Sequence, residues 1–304
     1  MTFRFLFACL LIVGLFNTSH LYGQSQQDCG LMVMAHGGSE AWDAAVETAV
    51  APLRADMPTA LAFGMADPTT LQAAVTDLEK QEVECIAVVR LFASAQSFLH
   101  QTEYLLGLRE EQPRFFISHG AHHQNDGKPA TPSPIPVKAT IKLSQKGLLD
   151  APEMGTILAD RALEMSNRSG NESVLILAHG PGDDAENEAW LRKLNGLADS
   201  VRATGLFTAV EVHTLREDWP EKRAIAEQRI RAFVKKGSKH DGRVLVIPFR
   251  LFGFGPYEKV LEGLPYEATG TGLLPSTKIT EWIRSQAQEI IEASEGSTHA
   301  SGSQ

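Results

Sequence analysis

The sequence predicts an α/β protein of two similar lobes, each an open parallel sheet flanked by helices. Three observations predict it. Elements recur in one order: "VMAHG" (33–37), "ALAFGMADP" (60–68) and "CIAVVRLF" (85–92) are echoed by "LILAHG" (175–180), "AVEVHTLREDWP" (209–220) and "VLVIPFRLFGFG" (244–255). Recurrence of elements in the same order is the mark of duplication, and the two histidines, His36 and His179, stand 143 residues apart. The strand candidates are continuous apolar runs, as strands buried on both faces require. Helical periodicity fills the gaps between them, and strand alternating with helix gives a layered α/β structure with right-handed crossovers.

The elements follow in chain order. Arg4 gives a basic start, Phe5 to Phe16 is an apolar core, and "NTSHLYGQ" (17–24) is polar with small residues. This is the pattern of a secretory signal over 1–24, too short to span a bilayer comfortably, with an uncleaved N-terminal anchor as the alternative. Beyond it no segment is apolar enough to span, so after cleavage no stable membrane insertion is expected and the protein is expected in the periplasm or medium. Cys9 lies in the signal, which leaves Cys29 and Cys85. Each stands seven residues ahead of a strand end, His36 and Phe92. If those strands are parallel neighbours, the thiols lie level. An oxidising compartment then permits a disulfide, and two buried free thiols are the alternative.

The N-terminal lobe spans 25–168. Trp42, Ala45, Val46, Ala49, Val50 and Leu53 recur at i, i+3, i+4, i+7, i+8 and i+11, and Leu71, Ala74, Val75 and Leu78 share the spacing. The stretch 109–135, rich in Gly, Pro and polar residues, reads as a loop, hairpin or lid inserted in this lobe. It carries "HGAHH" (His119, His122, His123), a cluster suited to weak metal binding or a solvated surface. "VKATIKL" (137–143) is the lobe's last strand, and Pro152 to Arg168 its closing helix. The C-terminal lobe spans 169–292, with helices marked by Leu191, Leu194, Ala198 and Val201 and by Ile279, Trp282, Ile283 and Ile290. The small, polar tail 293–304 is expected to be disordered.

Composition excludes some functions. The 304 residues are 43% hydrophobic and 21% charged, which is ordinary for a globular protein, and the formal net charge is −9. Lys and Arg form no stripe, so no nucleic-acid partner is expected. An acidic surface favours cationic ligands.

Ligands of open parallel sheets bind beyond the carboxyl ends of the strands. His36 and His179 each end the leading strand of a lobe, and the glycine that follows each allows close backbone approach. Imidazole binds Co²⁺, Fe²⁺, Ni²⁺ and Zn²⁺ and titrates near neutrality, so the pair suits metal contact or proton transfer. Asp183, Asp184 and Glu186 stand at the start of the next helix, where capping and the helix dipole account for acids without any ligand.

These residues carry a resemblance. "AHG" at 35–37 and 178–180, "VVRLFASAQSFLHQTEYLLGL" (88–108), "VIPFRLFGFGPYEKVLEGL" (246–264) and "IPVKATIKL" (135–143) resemble the class II chelatases, specifically the sirohydrochlorin cobaltochelatase/ferrochelatase family in a two-repeat form. The resemblance implies two chelatase-like lobes facing a cleft, and a lyase that inserts a divalent metal, Co²⁺, Fe²⁺ or Ni²⁺, into a tetrapyrrole. Metal and tetrapyrrole are then substrates, and no organic cofactor is expected. The family's strand-end histidine carries over to His36 and His179, as metal ligand and base. A second ligand histidine usually follows a lobe's third strand. This sequence has Gln96 and Phe98 there in the first lobe, with His100 slightly beyond as a substitute ligand, and Pro256 in the second. Insertion also needs groups that hold the macrocycle. Arg90, Arg250 and Arg216 suit its carboxylates. Phe92, Phe98, Phe252, Phe254 and Tyr257 suit its face, with core packing as the plain alternative. Glu40, Asp183, Asp184 and Glu186 suit attraction of the cation.

Two other readings compete. One is an exported protein that binds metal or tetrapyrrole without catalysis. The other is an α/β-hydrolase, suggested by "HGGS" (36–39), but no G-x-S-x-G elbow occurs. A histidine phosphatase would want arginine before the His-Gly, where Ala35 and Ala178 stand.

Overall fold

The computed structural model describes residues 29–114, 116 and 132–300. The secretory signal expected over 1–24 and the histidines His119, His122 and His123 lie outside the described residues.

The first lobe is built on β1 (Cys29–Ala35), β2 (Thr59–Phe63), β3 (Cys85–Leu91) and β4 (Thr140–Leu143), all parallel, in the order β2-β1-β3-β4. Every residue of β1 and β3 is buried, which is why both read as apolar runs, broken in β3 only by Arg90. Helices α1 (Glu40–Val50), α2 (Pro68–Glu79) and α3 (Leu99–Leu105) follow the first three strands. Ser39 caps α1, and the Asp67 side chain accepts from Thr69 and Thr70 N–H to cap α2.

The second lobe repeats the plan with α4 (Pro152–Met165), β5 (Glu172–Ala178), α5 (Asp184–Arg202), β6 (Ala209–Thr214), α6 (Pro220–Gly237), β7 (Arg243–Phe249), α7 (Tyr257–Val260) and α8 (Thr277–Ala300). Its parallel order, β6-β5-β7, matches β2-β1-β3. The counterpart of β4 shrinks to one parallel bridge between Leu245 and Glu267.

Two helices differ from their expected places. The stretch read as the closing helix of the first lobe, α4, packs instead on α5 and β7 of the second. The two helices approach closely at Gly155, where a Cβ would fall 2.9 Å from Leu197 O. Conversely, α8 packs on β1, β3, β4 and α1 of the first lobe. Thr280 Oγ1 donates to Ala49 O at 2.6 Å, Gln286 Oε1 accepts from Ser144 Oγ at 3.0 Å, and Arg284 pairs with Asp56 at 2.8 Å. The lobes thus exchange closing helices. The shared burial follows: Val33, Val46, Leu158, Ile176, Trp190, Ile247, Trp282 and Ile283 belong to one continuous apolar core.

Helical backbone also continues to Ala300, past the expected start of a disordered tail at 293. No proline interrupts the ladder there. Among the described residues no helix is long and apolar enough to cross a membrane.

Cys29 and Cys85 are register partners on β1 and β3, with Cα atoms 4.5 Å apart, and a disulfide joins them. Both are buried against Ile291 of α8. Of the two states left open by the sequence, the bridged one is present.

Candidate functional site

The carboxyl end of the second lobe's sheet gathers a cluster of polar side chains, His179, Glu217, Asp218 and Arg250. β5 ends at Ala178, so His179 is the first residue beyond the strand, and its side chain is 37% exposed. The turn after β6, residues 215–219, runs alongside. Leu215 N–H donates to Ala178 O at 2.9 Å and Arg216 N–H to His179 O at 2.6 Å. The sheet ladder therefore extends one step past each strand and sets the two loops edge to edge.

This register places a carboxylate against each ring nitrogen of His179. Nδ1 lies 3.3 Å from Glu217 Oε2, and Nε2 lies 3.2 Å from Asp218 Oδ2. A neutral imidazole can donate through only one of these nitrogens. Glu217 is 14% exposed and also accepts from Arg250 Nη1 at 2.7 Å, the first residue after β7. Burial pushes the Glu217 carboxyl up, but the hydrogen bond with His179 and the charges of Arg250, His179 and Arg223 outweigh it and hold the group below its ordinary value. Asp218 is 69% exposed, so its contact is the softer of the two.

Glycines let the loop pass. Gly180 has φ +79°, and a Cβ there would fall 2.5 Å from Thr214 Cβ. Gly182 lies under the Trp219 indole, with room for no side chain: a Cβ would meet the ring at 2.2 Å. The Trp219 ring stands edge-on to His179, centroids 6.2 Å apart. Arg216, in left-handed conformation at φ +58°, ties the two loops together: Nε donates to Pro181 O at 2.8 Å, and the guanidinium also reaches Gly182 O and Asp184. Lys222 completes the tie to Gly182 O at 2.6 Å and Asp184 at 2.8 Å. Hydrogen bonds from Lys222 and Arg216 hold the Asp184 carboxyl below its ordinary value.

The corresponding turn of the first lobe is built differently. His36 is likewise the first residue after β1, exposed, with Nδ1 3.0 Å from Gly37 O. The turn after β2 is Gly64, Met65, Ala66 and Asp67, whose one acid is the cap of α2. Phe92 follows β3 where Arg250 follows β7. An imidazole thus follows the leading strand in both lobes, while the turn beside it differs between them.

Several expected roles meet other facts. Arg90 cannot reach a macrocycle: it is 1% exposed, its strand being covered on both faces. Its guanidinium donates to the carbonyls of Ser97 at 2.8 Å, Ala95 at 2.6 Å and Ser144 at 3.2 Å. Burial pushes it down to about 10. Tyr257 is fully buried, with the Arg250 guanidinium 6.0 Å over its ring, and so offers no open face. Phe92 is buried edge-on to Phe98. Phe254 is half-buried, stacked with Tyr266 at 6.0 Å. Asp183 caps α5, accepting from Glu186 N–H at 2.9 Å, and Arg216 is engaged by loop carbonyls and Asp184. Glu40 is exposed in the first turn of α1, and His100 is exposed on α3. His36, His179 and His100 do not form a joint metal cluster. Among the described residues no three or more His, Cys, Asp or Glu side chains gather in a metal-holding group. Arg250 does belong to the cluster, through Glu217. Glu217, Asp218 and Trp219 are additions that the sequence reading missed. The signal was "LREDWP" directly after a strand beside the one that His179 follows.

No protein-family model matches the chain, and no curated protein matches it. Solved structures do. SirB from Bacillus subtilis with Fe³⁺ superposes at TM-score 0.62 and 13% identity, covering 89% of this chain and 98% of that one. The sirohydrochlorin chelatase SirB from Bacillus subtilis subspecies spizizenii in complex with cobalt gives TM-score 0.57, 13% identity and the same coverage of 89% and 98%. A multi-domain protein of Deinococcus radiodurans with structural similarity to chelatases gives 0.52 at 17% identity, over 86% of this chain and 55% of that one. The fold is chelatase-like, and at such identity the likeness is one of fold.

Proposed function

We propose that the chain is a chelatase-like lyase that inserts a divalent metal, Co²⁺ or Fe²⁺, into a sirohydrochlorin-type tetrapyrrole, and that the second lobe does the work. The observation that carries this is the placement of Glu217 and Asp218 on the two ring nitrogens of His179, at the carboxyl end of a parallel sheet, in a chelatase-like fold. Insertion removes two pyrrole N–H protons and brings in a dication. His179 is placed to take a proton or to present a nitrogen to the metal, and Glu217 to orient the ring. Asp218, solvent-facing, attracts the incoming cation. Arg250 keeps Glu217 ionised. Metal and macrocycle enter as substrates.

The test is insertion of Co²⁺ into sirohydrochlorin followed by absorbance. The wild type is expected to turn over, and His179→Ala and Glu217→Gln to lose most of the rate. His36→Ala, beside a turn with no counterpart of the Glu217-Asp218-Trp219 run, is expected to retain more of it. Absence of wild-type insertion overturns the catalytic reading.

A second reading is a protein that binds metal or tetrapyrrole without inserting one into the other. It is favoured by Pro256 at the position of the family's second ligand and by the lack of a three-residue metal group among the described residues. Stable binding with no insertion rate supports it. We also propose export by a secretory signal over 1–24. The Cys29–Cys85 disulfide favours an oxidising compartment. Fractionation of cells expressing the full chain tests it.

A further inference from the structure

Trp219 is one of three large hydrophobic side chains exposed among the described residues, with Leu108 and Ile225, and it alone of these borders the polar cluster. The 37% exposed indole is held by a specific mounting. The ring lies against the bare backbone of Gly182, in space that any side chain there would occupy. The turn that carries it is fixed at both ends: Trp219 N–H donates to Arg216 O at 3.1 Å, and Arg216 and Lys222 hold the opposing loop through Pro181 O and Gly182 O. The first lobe's counterpart, Gly64 to Asp67, carries no aromatic residue. An immobilised, partly open aromatic face beside a reactive imidazole is what a flat, conjugated ligand requires, since stacking then costs little ordering.

We propose that Trp219 is the stacking contact for the substrate macrocycle, the indole covering one pyrrole edge while His179 faces the nitrogens. This rests on the chelatase reading. Gly182 is then part of the binding surface, because its missing side chain sets the position of the ring.

The experiment is a titration with metal-free sirohydrochlorin, read by its absorbance and by quenching of tryptophan emission, for the wild type, Trp219→Phe, Trp219→Leu and Gly182→Ala, together with KM and kcat for Co²⁺ insertion. Trp219→Phe is expected to bind within about threefold of the wild type. Trp219→Leu, which keeps apolar bulk without a π face, is expected to weaken binding about tenfold or more, with KM rising by a like factor and kcat little changed. Gly182→Ala is expected to weaken binding comparably while circular dichroism stays native. Wild-type binding matched by Trp219→Leu overturns the stacking role and leaves the chelatase reading standing. So does a fall in kcat with KM unchanged, which would make Trp219 a support for the His179 ring. A wild type that binds no macrocycle overturns both.

Discussion

Glu217 bridges His179 and Arg250, one carboxylate oxygen 3.3 Å from Nδ1 and the other 2.7 Å from the guanidinium. Because its pKa is lowered on folding, its contribution to stability is complete above the ordinary carboxyl value of about 4.3 and is lost as pH falls through the folded value. Glu217→Gln should therefore flatten the acid limb of the stability curve below about pH 4.5. At pH 7 it should cost roughly 1–3 kcal/mol, the range for a half-satisfied, partly buried polar contact. Urea unfolding at pH 3.5, 5 and 7 measures both. A mutant curve parallel to the wild type at all three would show that the pair contributes no pH dependence.

Gly180 makes a sharper demand. Its left-handed backbone and the 2.5 Å approach to Thr214 Cβ leave no room for a methyl group. Gly180→Ala should cost about 1–3 kcal/mol from backbone strain alone and should move His179 away from Glu217. Metal insertion should then fall more than stability does. Gly170, equally left-handed at φ +75° but with open space around it, is the control. Gly170→Ala should leave the insertion rate unchanged.

The strands, the two parallel sheets and the level cysteines were legible because burial on both faces writes itself as apolar runs and parallel pairing keeps equal spacing. The role expected of Arg90 does not fit: its place inside the run "IAVVRLF" buries it, and it binds backbone carbonyls instead of the macrocycle's carboxylates. The exchange of α4 and α8 was not legible, since helical period reveals an apolar face but not which sheet covers it. Glu217 and Asp218 escaped for a related reason. Acids just before a helix are usually caps, as Asp67 and Asp183 are, and only the ladder step from Arg216 to His179 O turns these two toward the ring.

The exchanged helices predict one unfolding transition. Ile176 and Val33, on the central strands of different lobes, share a core, so neither lobe buries its inner face alone. Ile176→Ala should cost about 2–5 kcal/mol and shift the unfolding of both lobes together. The midpoints followed by far-ultraviolet circular dichroism and by a thiol probe on the reduced first-lobe cysteines should coincide. Two separated transitions would contradict the shared core.

The disulfide gives the last prediction. Cys29 and Cys85 close a loop with a sequence separation of 56. In the chain-entropy account a loop of that length stabilises the fold by about 4 kcal/mol. Cys29→Ser with Cys85→Ser should therefore lower the urea midpoint strongly, and dithiothreitol should lower that of the wild type in the same direction. The bridge lies at the amino ends of β1 and β3, whereas His179 and Glu217 stand at the carboxyl ends of the other lobe's strands. Loss of the bridge should thus reduce stability while leaving the insertion rate of the folded fraction intact. Intact mass under non-reducing conditions, lower by two hydrogens than after reduction, checks the bond itself. Two alkylatable thiols in the native protein would refute it.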